Sequence, residues 1–111
     1  MVKALAKSGE TIRQELTSQE CHLLHMAVGI AGEAGEMLDA IKRGAIYRKP
    51  LDRENIIEEL GDLEFFMEGL RESLGITREE TLQANIDKLA ERYKNFQYTD
   101  KQAHDRADKQ K

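Results

Sequence analysis

Capping signals mark the starts of three helices, and they restrict the possible folds of this chain more than any other feature of its sequence. Thr17 and Glu20 have the spacing of a capping box, in which a hydroxyl and a carboxylate satisfy the free backbone N–H groups at a helix start. Thr77 and Glu80 repeat this pattern, and Asp52 is a suitable cap between them. The predicted helices cover about residues 17–42, 52–74 and 77–96.

Apolar residues recur at steps of three and four within each predicted helix, which is the spacing of one helix face. Gly44 and Gly75 follow the first two stripes, where glycine commonly ends a helix. The pattern predicts an all-α fold, an antiparallel bundle of about four helices. The apolar positions are Leu23, Ala27, Ile30, Ala34, Leu38 and Ile41, then Ile56, Leu60, Leu63, Met67, Leu70 and Leu74, then Leu82, Ile86, Leu89, Tyr93 and Phe96.

A chain of 111 residues has room for one such domain. We expect an N-terminal segment over residues 1–16, with Ile12 and Leu16 on a possible short helix, and a main helical domain over residues 17–96. Residues 97–111 have almost no apolar content and mix both charges, so we predict a polar, disordered tail.

Composition and charge exclude several classes of function. The 17 Lys and Arg against 21 Asp and Glu give a net charge of -4, which argues against a nucleic-acid partner. No apolar run approaches the roughly 20 residues of a membrane helix, and residues 1–10 lack the apolar stretch of a signal peptide. Cys21 is the only cysteine, which fits a reducing, cytoplasmic compartment.

Some apolar side chains lie off the main stripes. Ile57 and Phe65 widen the apolar arc of the second long helix beyond one contact face. An arc of that width is typical of self-association, so we expect a homodimer or a dimer of dimers.

Two acidic pairs carry the chemistry that the sequence suggests. Glu33 and Glu36 are three residues apart on the first long helix, and Glu59 and Asp62 are three apart on the second. Glu33 lies roughly 80–90° from the centre of its apolar stripe and Glu59 about 50° from the centre of its own, so both lean towards the helix contact. Carboxylates that lose water there must protonate, pair with a base or bind a metal. Mg²⁺, with Mn²⁺ as a substitute, is the expected ion, and ordinary solvated helix faces are the alternative.

Glycines accompany these carboxylates and have two readings. Gly29, Gly32 and Gly35 recur every three residues beside the first acidic pair, and Gly61 and Gly69 lie on the second helix. Each glycine costs up to ~1 kcal/mol relative to alanine inside a helix. The stripe either permits close helix packing or leaves room for a ligand next to the carboxylates.

The motif Glu33-x-x-Glu36 followed by Glu59-x-x-Asp62 resembles the MazG-like all-α nucleoside triphosphate pyrophosphohydrolases, over about residues 18–96. Larger members of that family often have a further glutamate directly before the first pair, and this chain has Gly32 there. In this respect the sequence is similar to the compact, dCTPase-like single-domain branch. A third similar element lies on the last predicted helix and consists of Asn85, Lys88, Leu89, Arg92 and Tyr93.

The resemblance implies hydrolysis of a ribo- or deoxyribonucleoside triphosphate to the monophosphate and pyrophosphate, in the clearance of unwanted nucleotides. It also implies that Glu33, Glu36, Glu59 and Asp62 hold Mg²⁺, with Glu36 or Glu33 orienting the attacking water. The substrate-binding residues that it suggests are Lys88, Arg92 and Asn85 for the pyrophosphate, with Tyr93 in the same run. Helix geometry adds two candidates for contact with the base: His22, on the Glu33–Glu36 side of its helix, and Phe66, one turn after Asp62. The alternatives are a surface position for His22 and a core position for Phe66.

Two other functions remain open at this point. A phosphoribosyl-ATP pyrophosphatase would share the metal site and differ in its substrate pocket. A non-catalytic helical interaction module would carry the acidic pairs as surface features. A di-iron carboxylate bundle is set aside because it needs Glu-x-x-His pairs, and none of His22, His25 and His104 follows a glutamate by three residues.

Overall fold

The computed structural model describes residues 1–93, and five α-helices lie within them. The predicted all-α class is confirmed for this part of the chain, and the count exceeds four because the N-terminal segment forms two short helices. Phe96 and the predicted tail over residues 97–111 lie outside the described residues. The helices are α1 (Val2–Leu5), α2 (Gly9–Glu15), α3 (Ser18–Ala45), α4 (Arg53–Leu74) and α5 (Arg78–Arg92).

Both predicted capping boxes are present. The Thr17 hydroxyl accepts a hydrogen bond from the Glu20 backbone N–H at 3.1 Å, and the Glu20 carboxylate accepts one from the Thr17 N–H at 3.0 Å. Thr77 and Glu80 make the same two bonds, at 3.0 and 3.4 Å. These reciprocal bonds satisfy donors that the first turn of a helix leaves free, so they set the starts of α3 and α5.

The predicted end of α3 is wrong by about one turn. The helix continues to Ala45, and the Ile46 N–H donates to the Lys42 carbonyl at 2.8 Å. Gly44 therefore lies inside the helix, where Leu51 comes back against it. The end of α4 agrees with its prediction, since the helix stops at Leu74 and Gly75 follows with a left-handed φ of 67°.

Helices α3 and α4 pack against each other in antiparallel directions. The Gln19 side chain, near the start of α3, donates to the Ser73 carbonyl near the end of α4 at 3.1 Å. Further along, Met26 lies over Gly69. Later residues of α3 thus pair with earlier residues of α4. As a result, the acidic pair of α3 lies next to the acidic pair of α4 near the middle of the contact.

The side of α3 that faces α4 differs from the predicted stripe. Met26 and Ala40 are buried, whereas Leu38 is 67% exposed and Ile41 is 42% exposed. At about 100° per residue, the observed face is rotated by roughly 80° from the predicted one. Small and flexible residues let α4 approach along this face, and the rotation moves Glu33 close to its centre.

The chain divides into two compact units, Met1–Leu74 and a second unit that begins at Gly75. Helix α5 belongs to the second unit, and its predicted apolar residues Leu82 and Ile86 are 49% and 53% exposed. The predicted domain over residues 17–96 stays a prediction. Within residues 1–93 no helix combines the length and apolar character that crossing a membrane requires.

Candidate functional site

Three carboxylates meet where the middle of α3 packs on α4. Glu33 comes from α3, and Glu59 and Asp62 come from α4, one turn apart. One carboxylate oxygen of each lies within 4.8 Å of the others. Glu59 is only 8% exposed, Glu33 is half-buried and Asp62 is exposed. The antiparallel packing thus brings together three of the four predicted metal ligands.

Two oxygens of this cluster lack a partner. Glu33 Oε2 and Glu59 Oε2 are buried without a hydrogen bond in the described part of the chain. None of the ion pairs within residues 1–93 involves Glu33, Glu59 or Asp62. An unsatisfied buried acceptor is unfavourable, and an unpaired buried charge more so.

The close approach of these carboxyl groups changes the pKa of Glu59. The adjoining Glu33 carboxyl group, burial and the negative charge of Glu36, in that order, raise the pKa of Glu59 to about 7. A proton shared between Glu59 and Glu33 supplies the hydrogen bond that two ionised groups cannot make. Near neutral pH the cluster without a cation therefore keeps one proton that a free glutamate would have lost.

The donor set fits a hard divalent cation. Such ions take oxygen ligands, and carboxylates are their usual protein donors. The orphaned oxygens of Glu33 and Glu59 and the exposed carboxylate of Asp62 offer three negative donors from two rigid helices. A cation there would satisfy these oxygens and offset the repulsion that retains the proton.

A cavity of about 550 Å³ opens beside the cluster, between α3 and α4. Glu36, the fourth predicted ligand, lines this cavity, and so does Glu59. A Cβ at Gly32 or Gly35 would meet nothing within 4 Å, so these positions leave open space. The complete lining is Gly32, Gly35, Glu36, Asp39, Ala40, Arg43, Asn55 and Glu59.

Phe66 and His22 do not come together as a pair. The Phe66 ring lies over Gly29 so closely that a Cβ there would overlap it. Its ring neighbours are Phe65, with centroids 5.3 Å apart, and His25 at 6.3 Å. His22 is exposed. Phe66 thus has a packing role in this contact, and the substrate role of both residues stays a prediction.

The remaining predicted substrate residues belong to the second unit. Asn85 and Lys88 are exposed on α5, Arg92 is its last residue and Tyr93 follows directly. Their spacing on the helix agrees with the sequence expectation, and their contact with a substrate stays a prediction.

Three residues of the cavity were not anticipated. Asp39 lies three residues after Glu36, Arg43 lies four after Asp39, and Asn55 lies four before Glu59. Helical spacing from the acidic pairs could have identified all three, because residues three and four apart share a helix face.

Comparison with known proteins agrees with this geometry. The family model described as the MazG nucleotide pyrophosphohydrolase domain matches residues 22–97, which is more than half of the chain and contains all four acidic residues. No curated protein and no solved structure matches the chain significantly. The resemblance seen in the sequence is thereby confirmed, and the chain belongs to the MazG nucleotide pyrophosphohydrolase family.

Proposed function

We propose that this protein hydrolyses the bond between the α- and β-phosphoryl groups of ribo- or deoxyribonucleoside triphosphates and releases pyrophosphate. The observation that carries the proposal is the convergence of Glu33, Glu59 and Asp62, two of them with orphaned buried oxygens. Family membership supports the same reaction class. Triphosphate hydrolysis needs neutralisation of phosphoryl charge and an in-line water, and this cluster is suited to both.

We propose that Glu33, Glu36, Glu59 and Asp62 hold Mg²⁺, for which Mn²⁺ can substitute. The bound ion supplies Lewis-acid stabilisation of the negative charge on the phosphoryl oxygens. Ionised Glu59 would be the tighter ligand, so a cation held by these residues would compete with the proton that Glu59 shares with Glu33. This coupling links metal affinity to pH.

The other proposed roles rest on the family motif and on helical spacing. We assign orientation of the attacking water to Glu36, which lines the open cavity, with the half-buried Glu33 as its neighbour on the same helix face. Lys88 and Arg92 are four residues apart on α5 and can present two cations to the leaving pyrophosphate, with Asn85 beside them.

We further propose a homodimer, or a dimer of dimers, that acts on nucleotides in the cytoplasm without a nucleic-acid partner. Leu38, Ile57 and Phe65 are 67%, 56% and 68% exposed, which supports burial against a second copy. The net charge of -4 and the single Cys21 support the other two points. Clearance of unwanted nucleotides is the proposed role.

A pyrophosphate-release screen of the full chain tests the proposal. The common ribo- and deoxyribonucleoside triphosphates and phosphoribosyl-ATP are offered with and without millimolar Mg²⁺. We expect metal-dependent release from at least one nucleoside triphosphate, absent in Glu59→Gln and retained in Glu72→Gln, a matched control for an exposed residue of the same helix. Release from phosphoribosyl-ATP alone, or no release from any substrate, would contradict the proposal.

A further inference from the structure

The cavity beside the carboxylates has two ends with different chemistry. Glu36 and Glu59 form the end next to the acidic cluster. Asp39 and Arg43 follow one and two turns later along α3, and Asn55 lies one turn before Glu59 on α4. Because the helices are antiparallel, these three residues share the end remote from Asp62.

The charge of this lining disfavours a phosphate chain. Glu36, Asp39 and Glu59 are acidic, and Arg43 is the only basic residue among the lining residues. The Arg43 guanidinium is already engaged, since its Nη2 lies 2.9 Å from Asp39 Oδ2. With Asp39 and Arg43 paired and Asn55 uncharged, the remote end offers no unpaired positive charge to hold the β- and γ-phosphoryl groups, whereas an uncharged group can enter it without an electrostatic penalty.

The remote end still offers specific hydrogen bonds. The Asn55 backbone N–H donates to Asp52 Oδ1 at 3.1 Å, but its side-chain amide has no hydrogen bond within residues 1–93. A free amide presents a donor and an acceptor in one plane, which is the arrangement that pairs with the polar edge of a nucleobase. The space of about 550 Å³ lies within the usual range of roughly 300–1,000 Å³ for ligand pockets.

We propose that the remote end of the cavity, bounded by Asn55 and the Asp39–Arg43 ion pair, binds the nucleobase of the substrate, and that Asn55 is a specificity-determining residue. The inference rests on the proposed function. In a triphosphate cleaved between its α- and β-phosphoryl groups, the sugar is joined by one oxygen to the reacting phosphorus. The nucleoside must therefore lie immediately beside the carboxylates. This cavity adjoins them and has room for its uncharged base.

The experiment compares the wild-type full chain with Asn55→Asp and Asn55→Ala. For each protein, kcat/KM is measured with dATP, dCTP, dGTP and dTTP at saturating Mg²⁺. Asn55→Asp keeps the size of the side chain, removes its donor and suits the first turn of a helix, so the fold is retained. Gln14→Ala, an exposed amide on α2, is the matched control.

We expect Asn55→Asp to change the ratios of kcat/KM among the four substrates by about tenfold or more, with the amino-bearing dCTP and dATP gaining on dTTP. Asn55→Ala should compress the ratios, and the control should leave them unchanged. If all four values fall by one common factor, or do not change, Asn55 does not read the base and the inference is overturned. An inactive wild-type chain would instead reject the proposed function.

A second measurement separates base recognition from catalysis. Binding of the four deoxynucleoside monophosphates to metal-free protein is followed by calorimetry or NMR titration. The inference requires that Asn55→Asp alter the relative affinities in the same order as the kinetic ratios. Equal affinities for all four monophosphates in the wild-type protein would overturn it.

Discussion

Two neighbouring stretches of the α3–α4 contact both contain glycines, but side chains cover the glycines of one stretch and leave those of the other open. In the stretch near the start of α3, Gly29 and Gly69 are covered, one by the Phe66 ring and the other by the Met26 side chain. In the stretch that follows, Gly32 and Gly35 face open space. We call the first the closed stretch and the second the open stretch.

The difference shows how one helix pair can both hold together and bind. In the closed stretch, the missing Cβ atoms are replaced by a ring and a thioether, so packing is gained. In the open stretch, the same omission leaves a cavity next to Glu59, whose buried oxygen has no partner. The covered glycines and the open cavity thus lie about one helical turn apart along α3.

The largest expected effect comes from removing a carboxylate charge beside the open stretch. Glu59→Gln or Asp62→Asn should lower kcat/KM at least about a hundredfold, because each removes a charge that holds the cation and thereby several kcal/mol of transition-state stabilisation. Steady-state pyrophosphate release measures the loss, and far-UV circular dichroism should show an intact helical signal. Near-normal turnover in both variants would remove the metal-site hypothesis.

A paired substitution sharpens the comparison between the stretches. Gly29→Ala places a methyl group in the Phe66 ring and should lower the free energy of unfolding by about 1–3 kcal/mol. Gly32→Ala meets no neighbour and should raise it by up to ~1 kcal/mol through helix propensity. Urea unfolding of both variants decides the point, and equal effects would show that the distinction is wrong.

Lys88→Ala tests whether a cation from α5 contributes to substrate binding or turnover. We expect KM to rise or kcat to fall by about tenfold, the value of one charge-assisted contact of roughly 1.4 kcal/mol. The thermal midpoint should not change, because Lys88 is exposed. A collapse of thermal stability with the activity per folded molecule unchanged would give Lys88 a structural role instead.

The smallest expected effect is on the stability of the metal-free protein as pH changes. The pKa of Glu59 is about 7 in the folded chain against an ordinary value of 4.5, so the folded state keeps a proton that the unfolded state releases. The contribution of Glu59 to the stability of the folded state is therefore fully present below about pH 4.5 and is lost as pH rises through about 7. Thermal melts should show a midpoint lowered by a few degrees over this range.

Two controls belong to that measurement. Glu59→Gln has no group to titrate at this position, so its midpoint should vary less with pH. Millimolar Mg²⁺ should raise the wild-type midpoint most at pH 7 and above, where binding no longer competes with the proton. A wild-type midpoint that changes with pH in the same way as that of Glu59→Gln, without metal, would contradict the assigned pKa shift.

The sequence predicted most features that depend on neighbours along the chain, although the expected end of α3 before Gly44 was wrong. The Thr17 and Thr77 caps and the stop at Gly75 are local, and the structure contains all three. The side that α3 turns to α4 depends on contacts with another helix, and the apolar pattern alone placed it about 80° away. The same limit applies to the glycines, because their spacing cannot tell which ones a side chain from α4 will cover.

The candidate site likewise combines features that local spacing predicts with features that only the packing of the two helices sets. Spacing identified Glu33 and Glu59 as leaning inwards, since three-residue steps share a helix face. The depth of Glu59, which decides its pKa, comes from the packed pair of helices. Asn55 was missed because an asparagine in the first turn of a helix has an ordinary local explanation, and only the cavity reveals its free amide.

The connection between α3 and α4, residues 46–52, is short, and both helices that supply the acidic cluster belong to this one hairpin. Closing a short loop costs little chain entropy, and contacts between adjacent elements form early in folding. The mutually repelling carboxylates should thus be brought together during the first collapse of the chain. The proposed cation, if it binds this cluster, would offset that repulsion from the moment the hairpin closes.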